Sequence, residues 1–327
     1  MATPKNALIF GLTNAWLYLK HFKTVRRFRR GRGFWPNVAN PRRYSEWMLW
    51  RKLVDRNPQF GVFCDKLAAK EFIKNRCPDL PLAPTLWIGY DVEQIPAGLL
   101  KGDVFVKANH GCDYNFCIRD GQFDRAALLA QSRRWLSSIY GVKDAEWGYS
   151  QVKPKLFVET SVGDAKKDLL EFQIRTSNGR AILGSVMGHS KMPEQWHAYL
   201  DPQGKPALGM GDPEGTIPVA SARVAPAIAP YLRAVDYAQR LSAGVDYVRF
   251  DFLWNGHELY GGEITVYPAG GSSDPANSTT HALMLSSWNF RQTHFLKSRH
   301  TGWMGCYARA LDRQLPPRPM KTVPPSK

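Results

Sequence analysis

Three stretches of this 327-residue chain gather residue types suited to binding charge. Val104 to Cys117 reads VFVKANHGCDYNFC, an apolar run ending in Lys107, then a small polar loop with Gly111, then a second strand-like run. A lysine on a strand rim beside a glycine loop suits a polyphosphate, because the cation neutralises charge while loop amides donate hydrogen bonds. A plain hairpin with an exposed lysine would read the same way in isolation. Lys155 to Val162, KLFVETSV, is an apolar strand ending in Glu159. Its end can offer backbone groups to a purine edge and a carboxylate to ribose hydroxyls, although by itself this is an ordinary strand-end glutamate.

The third stretch runs from Tyr247 to Tyr267. Arg249 and Asp251 alternate with Val248, Phe250 and Phe252, and the returning run carries Glu263 and Thr265 between Gly262, Ile264 and Val266. Strand alternation puts Arg249 with Asp251 on one face, and Glu263 with Thr265 on one face. Two carboxylates on adjacent strands suit Mg²⁺, a hard cation that takes oxygen ligands and shares them with substrate phosphates. Acids set in such apolar sequence need a partner in any case, so salt-bridged strand residues are the competing reading.

The elements that must position these residues are legible around them. Residues 44–57 and 64–76 have apolar residues at helical spacing, and Pro78, Pro81 and Pro84 end that pattern. Short strands are predicted at 85–90, 103–111, 115–121 and 155–162, with a helix over 124–140. Residues 169–188 and 246–268 are each two apolar runs joined through Asn-Gly, a strong hairpin signal. Between them lie a loop-rich stretch from Ser190 to Pro218 and a helix over 225–242. Antiparallel hairpins mixed with helices predict an α+β protein. No glycine fingerprint of a Rossmann or Walker phosphate loop follows a strand.

Net charge is +16, and ten of the surplus cations precede the first acid, Glu46. The positive charge therefore sits in an N-terminal segment, which argues against nucleic acid as the partner of the body. Ala7 to Leu19 is the one apolar run of note. As a helix it reaches only about 20 Å, against a hydrocarbon core of ~30 Å. Leu8, Ile9, Leu12, Trp16 and Leu19 are expected on one face, followed by seven cations between Lys20 and Arg32. That pattern predicts a helix lying on an anionic membrane surface; a helix packed on the domain is the alternative. The odd set of Cys64, Cys77, Cys112, Cys117 and Cys306 fits neither a zinc site nor a disulfide framework, so free thiols in a reducing cytoplasm are expected. His110, His189, His197 and His281 are too scattered for a metal site, and Trp196 and Trp288, among polar neighbours, are minor candidates for stacking on a sugar.

Order carries more than any single motif. A lysine strand with a glycine loop, a strand ending in Glu, an Arg-x-Asp strand and a Glu-x-Thr strand together resemble the ATP-grasp fold, in which ATP lies between two α+β subdomains. The finer pattern is similar to the TupA-like branch named for teichuronopeptide biosynthesis, in DKLAAKEFI (65–73), FVKANHG (105–111), LFVET (156–160), HAYLDPQG (197–204), VRFDFL (248–253) and YGGEITVYPAGG (260–271). It covers roughly residues 45 to 285. The implied organisation is a basic helical extension (1–43), the small subdomain with its leading helices (44–160), the large subdomain with the Mg²⁺ site (161–312) and a disordered proline-rich tail (313–327).

The resemblance implies roles by position. Lys107 contacts the α- and β-phosphates, the Asn109–His110–Gly111 loop covers them, and Lys66 is a second phosphate contact. Glu159 and the backbone of Thr160, Ser161 and Val162 hold ribose and adenine. Asp251 and Glu263 bind Mg²⁺, with Thr265 where many ATP-grasp enzymes have asparagine, and Arg249 reaches the transferred phosphoryl group. The branch's Asp-Tyr-Lys is Asp168-Leu169-Leu170 here, leaving Lys166 and Lys167 as the nearest lysines. The implied activity is an ATP- and Mg²⁺-dependent ligase joining a carboxylate, a uronic acid of a bacterial surface polysaccharide, to an amine through an acylphosphate. A kinase on the same fold is the alternative within enzymes; a basic scaffold or nucleic-acid-binding protein is the alternative outside them.

One geometric condition follows. If Asn255-Gly256 formed a two-residue turn, Asp251 would oppose Tyr260, and Glu263 would point to the other face. A shared ion therefore requires an odd loop near Gly256, or a bulge at Gly261-Gly262 where glycine accepts φ > 0, bringing the carboxylates within roughly 6 Å.

Overall fold

The computed structural model describes residues 4–163, 169–190, 192–216, 222–271 and 273–315. Lys166, Lys167, Asp168 and the proline-rich tail beyond Leu315 lie outside the described residues. The elements in chain order are helices α1 (Pro4–Lys20), α2 (Phe22–Arg32), α3 (Tyr44–Leu53), α4 (Gln59–Cys64) and α5 (Lys66–Arg76), then strands β1 (Thr85–Gly89), β2 (Val104–Ala108) and β3 (Asn115–Ile118). Helix α6 (Arg125–Ser137) and β4 (Leu156–Thr160) complete the first half, and β5 (Leu170–Ser177), β6 (Arg180–Gly188), β7 (Trp196–Leu200), α7 (Ile228–Leu241), β8 (Val248–Trp254) and β9 (Leu259–Thr265) make most of the second. Helices α8 (Ser278–Ser287), α9 (His294–Lys297) and α10 (Gly302–Gln314) close the chain.

Two antiparallel sheets result, ordered β1-β4-β2-β3 and β7-β6-β5-β8-β9. The α+β class is therefore as expected. The small sheet packs Val104, Val106, Leu156 and Val158 against Leu128 and Trp135 of α6. The large sheet buries Phe172, Ile174, Val186, Phe250 and Phe252 against Tyr231, Ala234 and Ala238 of α7. Alternation then leaves Arg249, Asp251, Gln173 and Arg175 on its opposite face. The β5–β6 turn is the two-residue Asn178-Gly179 connection, both residues at positive φ (48° and 81°), as a type I′ hairpin requires.

Two expectations need correction. The stretch from Ser190 to Pro218 is not all loop: Trp196–Leu200 forms the edge strand β7, a five-residue run too short and too mixed in type to announce itself. In α1, Ile9 does not share the outer stripe. It is buried with Phe10, Thr13 and Leu17; Phe10 meets Tyr307 of α10 edge-on, and Trp303 Nε1 donates to Thr13 Oγ1 at 2.9 Å. Leu8, Leu12 and Leu19 remain 62%, 52% and 83% exposed, so the helix has two apolar stripes, one docked and one bare. No described helix is long and apolar enough to cross a membrane. All five cysteines are free, including Cys112 and Cys117.

The β8–β9 hairpin meets the phase condition by a bulge. Its turn is centred one residue later than the simplest reading: Trp254 pairs with Leu259, and Asn255 Oδ1 accepts from the amides of His257 (3.1 Å) and Glu258 (2.8 Å). Register then slips between Phe250↔Ile264 and Phe252↔Gly261, so Gly262 and Glu263 together face Asp251. Phe250 and Ile264 share the core face, which returns Glu263 to the face of Asp251. The bulge lies one residue beyond the expected Gly261-Gly262 pair, and its glycine is there for space rather than for φ. Gly262 is not among the positive-φ glycines, but a Cβ on it would sit 2.6 Å from the Asp251 carbonyl oxygen. Gly262→Ala is expected to lower unfolding stability in urea by about 1–3 kcal/mol, since backbone must move to admit the methyl. Gly102→Ala, with open space around it, should change stability by less than about 0.5 kcal/mol. Equal midpoints for the two variants would overturn this account of the bulge.

Candidate nucleotide and metal site

On the small sheet, Phe105 pairs with Glu159, so Glu159 and Lys107 are diagonal neighbours on one face. Lys107 Nζ bonds Glu159 Oε1, and Lys70 of α5 bonds Oε2 at 2.6 Å. Lys70 is fixed further by the Ala83 carbonyl (2.7 Å) and Thr85 Oγ1 (3.0 Å). Burial raises the Glu159 carboxyl, but Lys107 and Lys70 outweigh it and hold it below the usual carboxylate range. Two cations thus share one anion, leaving one positive charge in surplus on this face of the small sheet. Glu159 is accordingly clamped between lysines rather than free for ribose hydroxyls. Lys70 escaped the sequence reading, although its spacing of four from Lys66 on a helix was the available signal.

The glycine loop is held from behind. Asn109 is fully buried, its side chain bonding the Lys153 carbonyl (3.1 Å) and Lys155 amide (2.8 Å). His110 is buried with Nε2 at 3.2 Å from the Ser138 carbonyl, and burial lowers its pKa. Neither side chain is therefore available to phosphate; they shape the loop whose Gly111 (φ 87°) packs against Tyr114 and Tyr140. The α5 N-terminus, capped by Asp65 through the Leu67 and Ala68 amides, places Lys66 so that Nζ reaches the Gly111 carbonyl at 2.7 Å and Glu263 Oε1 at 2.9 Å. Lys66 is thus a tie between the glycine loop and the large sheet.

The strand end expected at adenine is partly spoken for. The Thr160 and Ser161 amides donate to the carbonyls of Pro84 and Asp103, both at 3.0 Å, and the Val162 carbonyl accepts from Asn255 Nδ2 at 3.0 Å. That segment is a covalent and hydrogen-bonded hinge from the small sheet to the β8–β9 turn, with only part of its backbone open to a base.

Across the cleft, Arg249 grips Asp251 with two bonds of 2.6 Å and reaches Thr265 Oγ1 at 3.3 Å. Burial pushes Asp251 up to about 6 against the pull of Arg249, with Glu171 and Glu263 adding to the rise. Burial opposes the charge on Arg249, but Asp251 outweighs it and raises its pKa. Glu263 is half exposed at 51%. Burial of its inner part raises the carboxyl, and the attraction of Lys66, Lys107 and Arg249 brings it below its ordinary value. Among the described residues no three His, Cys, Asp or Glu side chains are placed so that they alone could hold a metal ion. Two carboxylates and a hydroxyl fit an ion that completes its shell with phosphate oxygens and water, as Mg²⁺ does.

Two α+β units with a lysine–glutamate cradle on one and an Arg-Asp/Glu-Thr face on the other define a protein of the ATP-grasp class. The chain belongs to the TupA-like ATP-grasp family, whose sequence profile (TupA-like ATPgrasp) matches residues 46–286. No curated protein matches it in sequence. Among solved structures it is similar to an L-amino acid ligase from Bacillus licheniformis (13% identity, TM-score 0.39, 76% of this chain and 50% of that one). It is also similar to a D-alanine–D-alanine ligase from Bacillus anthracis complexed with ATP (12%, 0.35, 62% and 55%), and to the ATP-grasp ligase PsnB complexed with a precursor variant, Mg and ADP (13%, 0.37, 83% and 66%). The chain spans about half the length of the first two ligases.

Lys70→Met is expected to weaken nucleotide binding in calorimetry at least tenfold, because it leaves Glu159 with one cation and cancels the surplus positive charge of this face. Lys74→Met, exposed on the same helix, should leave binding within twofold. Equal affinities for the two variants would remove Lys70 from the site.

Proposed function

We propose that the protein is an ATP-dependent carboxylate–amine ligase of the ADP-forming, carbon–nitrogen-bond type. The observation that carries the reading is the facing arrangement just described: surplus cations on the small sheet, and paired acids with an arginine on the large one, tied by Lys66. Lys107 and Lys66 receive phosphate oxygens, Lys70 offsets the charge of Glu159 beside them, and Arg249 stands where charge develops on the transferred phosphoryl group. Asp251 and Glu263, with Thr265, are the residues that would hold Mg²⁺, which supplies charge neutralisation between phosphates. A substrate carboxylate oxygen bonds the γ-phosphorus as the bond to ADP breaks. The amine nitrogen then bonds the acyl carbon of the acylphosphate, inorganic phosphate leaves, and the amine gives up a proton. The sum is one ATP, one carboxylate and one amine to ADP, phosphate and amide.

The family resemblance supports a uronic acid of a bacterial surface polysaccharide as the carboxylate and an amino acid as the amine. ADP release measured against a panel of uronic acids and amino acids tests this. Release that needs both substrates is expected, with loss of at least a hundredfold in Asp251→Asn. Release needing one substrate alone identifies a kinase and ends the ligase reading. The Leu170 side chain packs partly buried against the core of the large sheet, so it offers nothing in place of the branch's lysine.

The working location we assign is the cytoplasmic face of the plasma membrane. The bare stripe of Leu8, Leu12 and Leu19 adjoins Lys20 and Lys23, and Lys20 Nζ lies 4.7 Å over the Trp16 ring. Apolar residues beside cations suit the boundary of an anionic leaflet. Co-sedimentation with vesicles of anionic lipid should recover the full chain and lose most of it in Leu12→Asp/Leu19→Asp or with neutral vesicles. Undiminished binding of the double variant would overturn the assignment.

A further inference from the structure

Arg175 lies on the same face of the large sheet as Arg249 and Asp251, and the pairing of β5 with β8 sets it directly opposite Arg249. It is only 7% exposed, and its Nε and Nη1 are buried with no hydrogen-bond partner among the described residues. Among the described residues the neighbouring cations each have an acid: Lys70 and Lys107 share Glu159, Lys66 has Glu263, and Arg249 has Asp251. The acid on Arg175's own strand cannot serve. Glu171 is four residues away, about 13 Å along a strand, and it accepts from Gln173 Nε2 at 2.7 Å. Directly opposed like charges are destabilising, and an unpaired buried guanidinium is more so. Such a group persists where something anionic meets it in the working state.

We propose that Arg175 is the receptor for the carboxylate of the ligase's carboxylate substrate, seated beside Arg249 where the phosphoryl group arrives. A guanidinium presents parallel N–H donors in a fork that matches a carboxylate bidentately. Nε with Nη2 is such a pair, the one Arg249 uses on Asp251, and on Arg175 the Nε of that pair is buried without a partner. Gln173, two residues along the same face and partly exposed, borders the approach, and the phenol of Tyr44 lies within electrostatic reach of Arg175. The identity of the ligand rests on the ligase reading; the presence of an anion site rests on the geometry alone.

The test is a titration of the full-length ¹⁵N-labelled protein, following the arginine Nε–H resonances, with that of Arg175 assigned by its loss in Arg175→Lys. The probes are glucuronate, malonate, the uncharged glucuronamide and inorganic phosphate. Saturable shifts of the Arg175 signal by a carboxylate, and none by glucuronamide, are expected. Arg175→Met should weaken that binding at least tenfold while melting at the same temperature or higher, because it removes an unpaired buried charge. The proposal is overturned if no carboxylate moves the signal, if glucuronamide moves it equally, or if phosphate displaces the carboxylates at lower concentration. It is equally overturned if Arg175→Met melts lower with binding unchanged, which is the signature of a structural residue. ADP release failing with every carboxylate, while Arg175 still answers to glucuronate, would sink the ligase reading and leave the anion site standing.

Discussion

One unpaired residue in the last hairpin sets the chemistry of the whole large sheet. Side chains alternate faces along a strand, so the register of β8 and β9 decides whether Asp251 and Glu263 can serve one ion. Near the turn, pairs such as Leu253↔Tyr260 are in a phase that would send Glu263 to the core; beyond the bulge, Arg249↔Thr265 are in the phase that brings it back. The switch happens at Asp251 itself, where Gly262 lies so close to the carbonyl that no Cβ fits. Bulges raise local twist and re-aim side chains. Here the same event also keeps Phe250, Phe252 and Ile264 in the one core beneath α7 and α5. Core and site therefore depend on one local irregularity.

The polar face needs a rigid support, and buried charge supplies part of it. All ten residues of α3 are buried. From its last turn, Arg51 pairs with Asp246 just before β8, donates to the Tyr247 (2.8 Å) and Val266 (3.2 Å) carbonyls, and lies 4.7 Å over the Trp288 ring. One side chain thus ties α3 to both ends of the β8–β9 hairpin and to the segment after α8. Asp55, buried nearby, is pushed up to about 7 by desolvation and by the charge of Asp246, with Arg51 pulling the other way. A single guanidinium does not neutralise two buried carboxylates, and the proton on Asp55 closes the balance. Stability from this proton is full below the unfolded carboxylate range and is lost as pH rises through about 7.

What could be read from the sequence was local. Periodicity marked α3, α5 and α7; Asn178-Gly179 marked its hairpin; the order of Lys107, Glu159, Arg249, Asp251 and Glu263 marked the family. What could not be read was whatever depends on distant packing. The two stripes of α1 are indistinguishable until α10, nearly three hundred residues later, covers one of them. Asn109 and His110 look like loop ligands because their types are polar, yet both are buried, with Asn109 bonded to Lys153 and Lys155 and His110 Nε2 to the Ser138 carbonyl, all remote in sequence. Lys70 and Arg175 were invisible for the opposite reason. One seemed an ordinary helix-surface lysine and the other an ordinary strand arginine, and only the fold shows the first shared with Glu159 and the second unmatched.

The remaining charges of the cleft are matched in a way that suggests how its ligands depend on each other. Lys66 is held by Glu263, and Arg249 by Asp251. In both pairs the cation is a group suited to phosphate and the acid a group suited to a divalent ion. Either ligand alone would have to break an ion pair and leave a charged partner behind, which is costly in a partly desolvated site. Both together exchange partners without stranding a charge. Coupling of this kind is reciprocal: whatever the ion adds to nucleotide affinity, the nucleotide adds to affinity for the ion. Half exposure of Glu263 lets solvent soften its share, so most of the coupling should reside in the Arg249–Asp251 pair, whose two bonds of 2.6 Å are largely withdrawn from water. Arg175 apart, the charges of the site are thus internal ion pairs whose partners phosphate and a divalent ion would exchange.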